Sequence, residues 1–177
     1  MPNAMDGNRV FVGDFDETTD ELMMPLINFV YSNKSSVVSR NLYLYINSSG
    51  GDAHRAFALV ELIREAKARG ITVHTQVLSD AHSAGSLVAV SGSVGHRKVA
   101  KRASYLVHYG EADAAAKSPD ELARIYNAWQ YHFETIRNTY TENTNIPVDF
   151  LDEVLAADNY HITAEEAIKY KFADKYS

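Results

Sequence analysis

Three short stretches of the 177-residue chain carry residue types suited to acyl transfer. In Asp80-Ala81-His82-Ser83-Ala84-Gly85 a serine flanked by small residues falls between a strand-like run and a small, apolar, helix-like run. A nucleophilic serine needs such a tight turn, which presents Oγ and leaves the next N–H open at the positive end of a helix. It is not the Gly-x-Ser-x-Gly elbow, because Ala81 stands where the first glycine belongs. In Asn47-Ser48-Ser49-Gly50-Gly51, directly after another strand-like run, paired glycines permit positive φ and close approach, and their N–H groups suit half of an oxyanion hole. A phosphate loop is excluded there, since no Gly-Lys-Ser/Thr follows. The third stretch ends in His108, a base at the end of Tyr105-Leu106-Val107. Spacing alone does not separate it from His54, His74, His82, His96, His132 and His161. Taken singly, each stretch also has a structural use that outweighs the chemical one: Ser83 as a helix cap, the glycines as a plain turn, His108 as a surface imidazole.

The elements that must position these residues alternate. Val10 to Val12 reads as a strand and Glu21 to Tyr31 as an amphipathic helix capped by Thr18 or Thr19. Asn41 to Ile46 reads as an aromatic-rich strand, and Ala53 to Arg69 as a helix ended by Gly70. Ile71 to Leu78 alternates as a strand, and Ser83 to Val90 is a buried helix. Strand-like runs occupy Lys98 to Val107, and Pro119 opens a long helix over about Asp120 to Glu142. Shorter helices are predicted over Val148 to Ala156 and Ala164 to Tyr170, and Ala112 to Ser118 is the best candidate for a mobile segment. Strands alternating with helices make the class α/β, with mostly parallel pairing and right-handed crossovers.

Length and composition bound the rest. With 46% hydrophobic residues the chain supports one sizeable core, and domains run about 100 to 200 residues, so residues 1–177 are read as a single domain. A net charge of −6 without a basic block argues against nucleic acid. The absence of cysteine excludes a disulfide scaffold and a thiol nucleophile. No apolar run approaches the ~18 residues of a membrane span, and Met1 to Arg9 lacks the apolar stretch of a signal peptide, so no membrane association and a cytoplasmic location are expected.

Read in order, four segments resemble the Clp protease proteolytic subunit family. LYLYINSSGG (Leu42 to Gly51) is similar to that family's strand and glycine turn, usually Tyr-Ile-Asn-Ser-Pro-Gly-Gly. SDAHSAGSLVAVSG (Ser79 to Gly92) is similar to its nucleophile segment, Gly-Gln-Ala-Ala-Ser-Met-Gly, and RASYLVH (Arg102 to His108) to its Ser-Arg-x-Met-x-His. TAEEAIKYKFAD (Thr163 to Asp174) is similar to its closing Ser-Ala-x-Glu-Ala-x-x-Tyr-Gly-x-x-Asp. The serine-to-histidine separation, 108 − 83 = 25, is the family's.

The resemblance implies a crotonase-like spiral of βαβ units with a protruding handle helix (handle region about 109–142), assembled as a homo-oligomer, a heptamer or tetradecamer. It implies a serine endopeptidase of a self-compartmentalising ring that cuts peptides or unfolded proteins without cofactor or metal. Ser83 would be the nucleophile, His108 the base, and the N–H groups of Gly51 and Ala84 the oxyanion hole. The family's triad aspartate aligns with Asn159, with Asp158 one residue earlier as the alternative third member. An asparagine there orients the imidazole without a charge, so a catalytically impaired, structural subunit of a mixed ring is the alternative function. The family also carries a longer N-terminal extension that docks an AAA+ unfoldase; here about nine residues precede the first predicted strand, and that partnership is left open.

Overall fold

The computed structural model describes residues 2–32, 41–110, 115–157 and 160–177. The expected α/β architecture is present, built among the described residues on one eight-stranded mixed sheet with six helices. The chain enters through a hairpin of β1 (Ala4–Asp6) and β2 (Arg9–Val12), turning at Gly7. Asp16, rather than a threonine, caps α1 (Glu17–Tyr31), its carboxylate accepting from the Thr18 N–H. β3 (Asn41–Ser48) then lies parallel to β2, and its even positions Leu42, Leu44 and Ile46 are fully buried while the alternate tyrosines are half-covered. That alternation is the sheet's period of two with one face on the helices.

Asp52 caps α2 (Ala53–Ala68) by accepting from His54 N and Arg55 N, an arrangement worth about 1 kcal/mol. Gly70, at φ 77, supplies the left-handed residue that ends this helix region. β4 (Thr72–His82) runs parallel to β3 and extends four residues beyond the predicted end at Leu78. The extension has a long-range cause. Thr75 to Val77 pair with β5 (Arg97–Val99), whereas Asp80 to His82 pair with β6 (Ser104–Val107), so the sheet branches along one strand. Between β4 and β5 lies α3 (Ala84–Val90), every residue of it buried.

Ser118 caps α4 (Pro119–Asn143), with Pro119 at the helix start as expected. Only Ile136, Thr139 and Tyr140 of its 25 residues are buried, all near the C-terminal end. The helix therefore projects its first turns away from the domain. α5 (Val148–Ala156) leads to β7 (Tyr160–Thr163), antiparallel to β6, and then to α6 (Ala164–Lys169) and β8 (Lys175–Tyr176), parallel to β5. The closing motif has two structural reasons. Thr163 and Glu166 form a reciprocal capping box on α6, and Asp174 receives Arg97 at 2.8 Å in a largely buried ion pair. No helix among the described residues is long and apolar enough to cross a membrane. Of the 112–118 segment, residues 112–114 lie outside the described residues.

Candidate active site

The branch in the sheet brings the first two candidate residues together. β4 and β6 pair with a fixed offset, Asp80 opposite Ser104 and His82 opposite Leu106. Ser83 and His108 lie just beyond the paired ends, and Ser83 N donates to Leu106 O at 2.8 Å. The separation of 25 residues is thus a register requirement of two parallel strands. At that register His108 Nε2 sits 2.8 Å from Ser83 Oγ.

Ser83 occupies the cap position of α3 without capping it: its side chain makes no cap hydrogen bond. Its backbone has φ 49 and ψ −117, which costs a residue with a Cβ on the order of 1–3 kcal/mol and persists only when neighbours hold it. Ser86 N and Ser86 Oγ both donate to Ser83 O, at 3.0 and 2.6 Å. The turn aims Oγ at the imidazole instead of at the helix.

The glycine pair packs against this turn. Gly50 and Gly51 have φ 109 and 125, and a Cβ on Gly50 would fall 2.9 Å from Ser83 Cβ. A Cβ on Gly51 would fall 2.6 Å from Phe15 O, because Phe15 bridges the glycines: Phe15 N donates to Gly50 O and Asp52 N to Phe15 O. Both facts demand glycine. Among the described residues no hydrogen bond engages the N–H of Gly51 or of Ala84. Gly51, Ser83, Ala84 and His108 together line one wall of a cleft of about 680 Å³. α4 also lines this cleft, through Ile125, Trp129, Phe133 and Ile136. An apolar cleft with a serine–imidazole pair and two open amide donors is suited to acyl transfer.

The other histidines fall outside this pair. His82, next to Ser83, points to the other side of the strand, where its Nε2 lies 3.0 Å from Ser104 Oγ and 3.4 Å from Asp80 Oδ1. Burial pushes its pKa down, Asp80 opposes this, and His161 reinforces it from 5.3 Å. His82 and His161 therefore form an edge-to-face pair, as do His74 with His96. His54 and His132 make a third such pair at 4.6 Å, lining the same cleft as Ser83. Asn159 and Asp158, the two candidates for the third triad position, lie outside the described residues.

Sequence reasoning missed Phe15, Ser86 and Tyr140. Phe15 joins the glycine turn from 35 residues upstream of Gly50, and Tyr140 approaches Ser86 from α4, 54 residues away. Neither contact has a local signature.

Comparison with known proteins agrees with this architecture. Residues 4–176 match the sequence model described as Clp protease. Over 139 residues the chain is 28% identical to the ATP-dependent Clp protease proteolytic subunit of Streptococcus sanguinis, covering 77% of this chain and 68% of that protein. The protein of the same description from Deinococcus radiodurans is 26% identical over 136 residues, covering 77% and 64% respectively. The chain thus spans about two thirds of the length of these relatives.

Proposed function

Because the chain belongs to the Clp protease family, we propose that it is the serine endopeptidase subunit of a self-compartmentalising ring that hydrolyses peptides or unfolded chains through an acyl-enzyme. The observation that carries this reading is the 2.8 Å approach of His108 Nε2 to the Oγ of a serine that does not cap its helix. In the tautomer with Nε2 bare, His108 takes the Ser83 proton as Oγ attacks the scissile carbonyl. The carbonyl oxygen becomes an oxyanion that accepts from the N–H groups of Gly51 and Ala84. His108 then passes the proton to the leaving amine, which departs and leaves the acyl-enzyme. Water attacks the ester, its proton goes to His108, and Ser83 is released with its proton restored.

Asn159, with Asp158 as the alternative, is proposed to orient His108. Asn in place of Asp in a serine triad costs ~10⁴ in kcat, so the residue that fills this role decides whether the subunit is a working or an impaired peptidase. Asn159→Asp raising turnover while Asp158→Ala leaves it unchanged assigns the role to Asn159; the reverse pattern assigns it to Asp158.

The proposed assembly is a homo-oligomer of seven or fourteen chains around an enclosed chamber. An AAA+ unfoldase is the partner class to test for feeding it. The function itself is tested by labelling the intact protein with a fluorophosphonate and following cleavage of a small fluorogenic peptide. Labelling and cleavage that vanish in Ser83→Ala are expected. Absence of both from the wild-type protein would leave the impaired, structural subunit as the correct reading.

A further inference from the structure

We infer that Ser86 and Tyr140 are positioning residues for the proposed reaction, anchoring the Ser83–Ala84 peptide unit so that the Ala84 N–H faces the cleft as an oxyanion donor. The inference rests on the proposed peptidase reading and names two residues which that reading does not use.

The geometry starts at the Ser83 carbonyl. It accepts from Ser86 N at 3.0 Å and from Ser86 Oγ at 2.6 Å, and Ser86 Oγ is itself in a short hydrogen bond with the Tyr140 hydroxyl. A carbonyl only accepts, so the single Ser86 hydroxyl proton is committed to Ser83 O, and Tyr140 must donate to Ser86 Oγ. Burial pushes the Tyr140 phenol well above its ordinary value, which keeps that proton in place. The result is a directed chain, Tyr140 O–H to Ser86 O–H to Ser83 O=C, in which each bond polarises the next.

The described peptide bonds are all trans, so the N–H of Ala84 points opposite to the carbonyl of Ser83 in one rigid plane. Fixing the carbonyl therefore fixes the donor. Such fixing matters here because a serine at φ 49 relieves strain by moving toward negative φ, which swings the peptide unit that follows. The peptide unit before Ser83 is held by β6, through Ser83 N to Leu106 O. The unit after it is held through α4, by way of Tyr140. Ser86 is 0% exposed and Tyr140 1%; Tyr140 borders the cleft, and its hydroxyl acts on the reacting atoms through Ser86 and the Ser83 backbone.

A merely structural pair, one that satisfies two buried hydroxyls, would change stability and leave the ratio of kcat to KM intact. The test is steady-state hydrolysis of a small fluorogenic peptide by the intact assembly of the wild type, Ser86→Ala, Tyr140→Phe and the double variant. Binding of a peptidyl boronate, which forms a tetrahedral adduct on Ser83, and of the product peptide is measured alongside, with melting temperatures. Losing one oxyanion donor costs ~10²–10³ in kcat, and a misaimed donor retains part of that. Ser86→Ala is therefore expected to lower kcat about tenfold with KM changed less than about twofold, and Tyr140→Phe, which keeps the Ser86 bond, about threefold. Boronate affinity should fall in parallel with kcat while product affinity stays constant, and the double variant should be no slower than Ser86→Ala alone.

Unchanged kcat in folded variants overturns the inference, as does a KM that rises in step with the fall in kcat. If Ser86→Ala does not fold, the isosteric Tyr140→Phe decides by the same criteria. A wild-type protein without Ser83-dependent hydrolysis overturns the peptidase reading itself, a result distinct from variants that match an active wild type.

Discussion

A glycine that an alanine cannot replace for two separate reasons is the sharpest residue-scale constraint in this molecule. At Gly51 the φ of 125 penalises any side chain, and the added Cβ would also sit 2.6 and 2.9 Å from Phe15 O and N. Gly95 shares only the first problem, with φ 84 and nothing within 4 Å. Gly95→Ala is thus expected to lose about 1–2 kcal/mol from the left-handed backbone alone. Gly51→Ala should lose at least about 2 kcal/mol more, because backbone atoms must move, and should abolish fluorophosphonate labelling along with the turn. Urea unfolding of both variants checks the difference, and equal losses would refute the close-packing account. The sequence made the double glycine visible, since two consecutive glycines after a strand are rare enough to notice. It did not show Phe15, whose backbone is the reason for the second glycine. Ser83 was ambiguous for a comparable reason: its local pattern is that of a helix cap, and only the φ and the His108 contact distinguish the two uses.

At the scale of elements, most of the parallel sheet was legible from period-two runs, whereas β1, β7 and β8 were not. They are short, three, four and two residues: β1 is held in a local hairpin with β2, whereas β7 and β8 exist because β6 and β5, far along the chain, receive them. The extension of β4 through Asp80 to His82 has the same origin, since polar residues there read as a turn until β6 pairs with them. The seam of β5, β8 and the end of α4 is fastened by Arg97, whose guanidinium binds both carboxylate oxygens of Asp174, together with Val90 O and Asn143 O. Burial alone would push the Asp174 carboxyl up, but the bonds from Arg97 and from Gly95 N outweigh it and leave its pKa below the ordinary 3.8. A carboxylate depressed in the folded state stabilises it fully above its unfolded value and progressively less as pH falls through the folded one. Unfolding free energy should therefore fall below about pH 4, and Asp174→Asn should flatten that acid limb. Asp174→Ala strands the Arg97 charge, whose side chain is only 3% exposed, and is expected to cost about 3–5 kcal/mol at neutral pH. Denaturant unfolding across pH measures both, and an unaltered acid limb in Asp174→Asn would show the pair to be energetically idle.

His74, on β4, sets a second pH window at the same scale. Burial first, then His96, Lys98 and Lys175, all push its pKa below the ordinary 6.5. For a base whose folded pKa is depressed, protonation favours the unfolded chain, so its effect on stability is absent above about pH 7.5 and grows as pH falls through 6.5. Stability measured between pH 8 and pH 5.5 is expected to decline on acidification, and His74→Gln, which keeps a partner for Asn41 Oδ1, should shallow that decline. An identical slope in the variant would move the cause elsewhere.

Over the whole molecule, the shape of α4 poses a question that a single chain leaves open. A 25-residue helix with three buried residues exposes Leu122 at 53%, Tyr126 at 58% and Tyr131 at 69%, and in a lone domain that surface gains nothing from burial. The proposed ring of seven or fourteen chains supplies the missing cover if the projecting helices of facing rings interlock. Leu122 and Tyr126 are spaced to lie on one stripe of the helix, so a pair of charges there would set like against like across such a contact. The native protein should sediment at seven or fourteen times 19.7 kDa. With Leu122→Glu and Tyr126→Glu combined, a fourteen-chain assembly should halve to seven while each subunit keeps its unfolding midpoint, because neither side chain contributes to the core. Analytical ultracentrifugation reads both numbers. A native monomer would remove the basis for a compartment. A fourteen-chain particle indifferent to the two charges would place the ring contact on another surface.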